Sequence, residues 1–182
     1  MSYVEIYAFD RAGNGHLYGE IKNSWSGAPA VWAYMEEKYL PPFVPDGMTL
    51  EDIQSDSKKT SRLQSINTMN EIWELVDDPK ISEADRVVLF TTLDECLVRK
   101  DDIPKMVNAF EEFCASSNNH NLAKQAEILK KAAADPEVIA VGWNQTSINA
   151  STWGNKGEYD YEKDASVPYN CLTGKKHYWL PF

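Results

Sequence analysis

Apolar side chains recur along this chain at two spacings, and the points where one gives way to the other limit the folds open to it. From Tyr3 to Phe9, Val4, Ile6 and Ala8 alternate with Tyr3, Glu5 and Tyr7, the period-two pattern of a half-buried strand. A polar run, Asp10-Arg-Ala-Gly-Asn-Gly15, separates it from a second extended stretch, His16–Lys22. Together they predict a β-hairpin. Farther along, Ile103, Met106, Val107, Phe110, Phe113 and Cys114 fall on one side of a 3.6-residue repeat, the clearest amphipathic helix in the chain.

The remaining elements fit around these two. Pro29 is tolerated in a first helical turn, and Val31, Trp32, Met35 and Tyr39 predict a helix over 28–40, stopped by Pro41-Pro42. Leu63, Ile66, Met69, Trp73 and Val76 predict a second helix, ending at Asp77-Asp-Pro79. Between them, residues 46–61 are polar and the least ordered part of the chain. Ser82-Glu-Ala-Asp85 opens a short helical turn, while the uninterrupted run Val87–Phe90 has the composition of a strand covered on both faces. It is the expected central strand, with Leu97–Arg99 paired to it. Asp101 or Asp102 is expected to cap the 103–114 helix. A further helix spans about 121–134, and Val138–Trp143 is a second buried strand. Short extended pieces are expected near Glu158–Tyr161 and His177–Leu180. The mixed order predicts one α+β domain over 1–182: a mostly antiparallel sheet flanked by about four helices, with a turn-rich aromatic C-terminal segment.

At 182 residues the chain is long enough to bury a sizeable core without cross-links. Its three cysteines, Cys96, Cys114 and Cys171, are scattered and odd in number, which suits a reducing cytosol rather than a disulfide framework. No apolar run approaches membrane-spanning length, and the first ten residues lack a signal-peptide pattern. A cytoplasmic location without membrane attachment is the expectation.

Chemistry-bearing patterns are few. Gly13-Asn-Gly15 precedes extended sequence rather than a helix, so it reads as a turn and not a phosphate loop. His16, His120 and His177 are far apart, and no cysteine or histidine has a second soft ligand at zinc spacing. Cys171 and His177 share a segment, yet nothing in the sequence supplies the electropositive site a thiolate requires. The expectation is no metal, no cofactor and no catalytic residue.

Charge carries more information. The net charge of −10 repels phosphate backbones, which argues against direct nucleic-acid binding and for a basic protein partner. Between residues 71 and 112 there are 12 acidic and 5 basic side chains. Asp77, Asp78, Glu83, Asp85, Asp94, Glu95, Asp101 and Asp102 are the candidate partner-binding residues, because spaced carboxylates can occupy a groove built to receive phosphates. The plainer alternative is that these acids cap helices, mark turns and wet exposed faces. Eight aromatics within 143–182, among them Trp143, Trp153 and Trp179, either pin the tail to the core or form a stacking surface.

Three segments, Phe9–Trp25, Asp102–Phe110 and Gly142–Asn149, resemble short accessory proteins of phages and mobile elements. In length, acidity and lack of chemical motifs, the chain is similar to anti-CRISPR inhibitors of type II RNA-guided nucleases. That resemblance implies a non-enzymatic inhibitor that binds the guide-loaded nuclease and blocks its DNA-accepting surface. It transfers no individual functional residue. A small hydrolase and an aromatic-platform ligand-binding domain are the alternatives.

Overall fold

The computed structural model describes residues 3–23, 27–42, 44, 47, 49, 51, 66–92, 96–146 and 169–174. The alternating stretch forms β1 (Tyr3–Phe9), which turns back through Asp10–Asn14 into β2 (Gly15–Lys22). Gly13 sits at φ 77 in that turn, a left-handed conformation that disfavours a side chain. The register slips between Ile6↔Gly19 and Tyr7↔Leu17, leaving Tyr18 as the extra residue of a bulge. Its hydroxyl donates to the Asp135 carboxylate over 3.2 Å.

Three further strands complete the sheet: β3 (Cys96–Arg99), β4 (Ala140–Gln145) and β5 (Tyr169–Asn170). The order is β2-β1-β4-β3-β5, antiparallel except for the parallel β3–β5 pair. Register places Ile6, Trp143 and Cys96 in one row, and Ala8, Val141 and Val98 in the next. All six side chains are buried in one continuous core with Val31, Met35, Val88, Phe110, Phe113 and Leu129 from the helices. On the opposite face Phe9, Leu97 and Ala140 make a separate small cluster.

Five α-helices are found among the described residues: α1 (Ala28–Tyr39), α2 (Ile66–Glu74), α3 (Glu83–Phe90), α4 (Ile103–Ser117) and α5 (Ala123–Ala134). The α+β class and the mostly antiparallel sheet agree with the sequence pattern. Amphipathic spacing places Ile103, Met106, Val107, Phe110, Phe113 and Cys114 of α4 in the core, and Asn118 ends the helix at φ 53.

The expected central strand at Val87–Phe90 is instead the second half of α3. Its N-cap is Ser82, whose hydroxyl accepts from the Asp85 amide over 3.1 Å. Ala84, Asp85, Val87, Val88, Leu89 and Phe90 are all buried. A helix enclosed on nearly every side loses its polar face, and the short apolar run that remains is indistinguishable from a buried strand. The sheet is therefore centred on β4, and β3 pairs with β4 and β5 rather than with residues 87–90. The cap expected of Asp101 or Asp102 also differs. A 3-10 turn over Lys100–Asp102 leads into α4, and the Asp102 side chain makes no capping hydrogen bond. The extended pieces expected at 158–161 and 177–180 lie outside the described residues, as does most of 46–61.

Candidate interaction surface

The acidic candidates divide by environment. Asp77 ends a 3-10 turn, Leu75–Asp77, and is exposed. Asp78 follows, half-buried, and its carboxylate accepts from the Lys80 amide over 2.8 Å, which fixes the approach to α3. Glu83 is exposed in the first turn of α3, where a carboxylate complements the helix dipole. Asp101 is exposed, and the half-buried Asp102 pairs with Lys105 over 2.7 Å. The Asp102 hydrogen bond raises the Lys105 pKa, and Glu83 adds to it through its field, so the α3 and α4 starts share one electrostatic neighbourhood. Asp77, Glu83 and Asp101 make no ion pair or hydrogen bond through their side chains among the described residues. Asp94 and Glu95 lie outside them.

Asp85 does not belong to this surface. It is 1% exposed and accepts from Lys38 Nζ over 2.7 Å and from the Tyr39 hydroxyl over 2.6 Å. The Tyr39 oxygen in turn accepts from the Ser82 amide, and Lys38 also donates to the Tyr34 hydroxyl. Lys38 Nζ stands 5.0 Å from the centroids of both tyrosine rings. Although burial works against its charge, these hydrogen bonds hold the Lys38 pKa above the ordinary lysine range. One buried carboxylate thus fastens α1 to the start of α3. Sequence offered no signal for this, since Asp85 and its partners are more than forty positions apart.

Beside Asp77 an open cleft of about 510 Å³ is lined by Val76, Asp77, Arg86, Phe90 and residues 172–174. Gly174 has φ +64, and a Cβ there would stand 2.3 Å from Phe90 Cζ. Only glycine lets this turn close on the ring. Arg86 makes no ion pair among the described residues, so the cleft presents one charge of each sign beside the Phe90 ring.

The aromatic platform loses one of its three tryptophans. Trp143 is fully buried, stacks near Phe110, and donates from Nε1 to Gln125 Oε1 over 3.0 Å. Trp153 and Trp179 lie outside the described residues. Among the described residues, no group of three or more His, Cys, Asp or Glu is placed to hold a metal. Cys114 and Cys171 are buried, and desolvation pushes both thiols up from their ordinary range, away from a reactive thiolate.

No family model, curated protein or solved structure matches the chain. No helix among the described residues is long and apolar enough to cross a membrane.

Proposed function

We propose that the protein acts by binding rather than by chemistry, presenting an acidic face to a basic surface of a protein partner. The observation that carries this reading is the division among the carboxylates. Asp85 and Asp102 are spent on internal pairs, whereas Asp77, Glu83 and Asp101 stand exposed without ion pairs among the described residues, in a protein of net charge −10. Exposed, uncompensated charge adds little to folding but steers association and selects a partner of opposite sign.

In its sharpest form the partner is a guide-loaded type II CRISPR nuclease, whose channel for the heteroduplex and displaced strand is an array of basic groups awaiting phosphates. The protein occupies that surface and keeps target DNA out. It needs no cofactor, and its own field keeps it off nucleic acid. A host cell's cytoplasm is where such a nuclease is met. The test is a gel shift of target DNA by the loaded nuclease at several salt concentrations, with and without the protein. Competition for DNA that weakens as salt rises supports the reading, and unchanged DNA binding at all concentrations sinks it.

A further inference from the structure

Two of the three cysteines meet in the core although 75 positions separate them in sequence. Cys96 opens β3, and Cys171 directly follows β5, the two-residue strand paired in parallel with it. The register sets Cys96 against Tyr169, and the Cys171 amide donates to the Leu97 carbonyl over 3.1 Å. Both side chains are fully buried in the same core cluster, both are free thiols, and the Cys96 sulfur stands near enough to oppose ionisation of the Cys171 thiol. Cys114 is buried too, on α4, and has no such thiol contact.

We propose that Cys96 and Cys171 form an oxidisable dithiol, a redox clasp that locks the segment 169–174 onto the centre of the sheet. In the closed, reduced state burial and the neighbouring sulfur keep the Cys171 thiol protonated, which protects it. β5 is nevertheless only two residues long and lies at the sheet edge, the kind of element that opens locally without global unfolding. In the opened state one thiolate attacks a small disulfide such as oxidised glutathione, releasing one glutathione thiolate and forming a mixed disulfide. The second cysteine displaces the other glutathione. The protein loses two protons and two electrons as the Cys96–Cys171 bond forms, and the small disulfide takes them up and leaves as two thiols. The consequence reaches the surface, because residues 172–174 form one wall of the cleft beside Asp77 and Arg86. Oxidation fixes that wall, and reduction frees it.

The full-length protein is incubated with excess oxidised glutathione under native conditions, the remaining thiols are alkylated, and the products are mapped by mass spectrometry. The expected product has lost two hydrogens, carries one alkyl group at Cys114, and yields a peptide joining Cys96 to Cys171. Because the bond closes a loop of roughly 75 residues, its melting temperature rises by roughly 5–15 °C over the reduced protein. Cys114→Ser, which leaves the pair untouched, shows the same bond and the same rise. Any of four results overturns the proposal: a stable glutathione adduct on Cys96 or Cys171, a bond involving Cys114, three reduced thiols in folded protein when urea-unfolded protein oxidises, or a linked product with unchanged melting temperature.

Discussion

Lys38 reaches Asp85 over 2.7 Å, and the two ends of that bond live in different solvents: the carboxylate is 1% exposed, the lysine side chain 37%. Removing the lysine strands the buried partner, whereas removing the carboxylate lets the cation turn to water. Lys38→Met is therefore expected to cost about 2–4 kcal/mol, and Asp85→Asn, which keeps an acceptor for Tyr39, less. Urea denaturation of both variants tests the order. Asp85→Asn proving the more damaging would contradict it.

The same pair has a pH signature. The folded-state Lys38 pKa lies above the unfolded value, so the stabilisation is fully present below the ordinary lysine range and disappears as pH rises through the folded value. Tyr18, whose ionisation burial and the Asp135 carboxylate oppose, loses its contribution over the alkaline range too. Stability measured from pH 8 upward should fall less steeply in Lys38→Met than in wild type.

At the acidic end the hairpin tip titrates. The Asp10 carboxylate accepts from the Asn14 amide over 2.8 Å and from the Asn14 side chain over 3.0 Å, and these bonds lower its pKa to about 2. A depressed carboxylate stabilises the fold above its unfolded pKa and stops doing so as pH falls through about 2. An NMR titration should find Asp10 ionising well below exposed aspartates, and Asn14→Ala, which keeps the backbone amide and removes only the side-chain bond, should raise it part of the way toward 3.8. An unmoved titration in that variant would remove the Asn14 side chain as a contributor and leave the backbone amide as the cause.

Ser82→Ala removes the one side-chain cap seen on α3 and is expected to cost about 1 kcal/mol. Were residues 87–90 a strand, the same change at an isolated turn would cost next to nothing. Denaturant midpoints of the two proteins distinguish these outcomes.

How far the sequence carried depends on the range of the interactions involved. The hairpin and α4 were legible because their apolar periods are set by one exposed and one buried face, and each runs long enough to show it. α3 was not, since Val87–Phe90 lies inside the protein on all sides and its one marker, the Ser82 cap, looked like a turn. Composition named Asp77, Glu83 and Asp101 as partner-binding candidates, and all three are exposed in the structure. It had no means of separating Asp85, because burial there is decided by Lys38 and Tyr39, which only the tertiary fold brings near. The approach of Cys171 to Cys96 was hidden for the same reason: parallel pairing of β3 with β5 joins segments with no local relationship.

The binding account rests most directly on one assay, in which a panel of guide-loaded type II nucleases cleaves target DNA after preincubation with wild-type protein or with the variant Asp77→Lys, Glu83→Lys, Asp101→Lys. These three side chains are exposed and hold no ion pair among the described residues, so circular dichroism should show the variant folded. The account expects wild type to block cleavage by at least one nuclease, with loss of DNA binding, and the variant to need at least about tenfold more protein for the same block. Wild type that neither inhibits nor binds any nuclease, or a folded variant that inhibits as well as wild type, would contradict it.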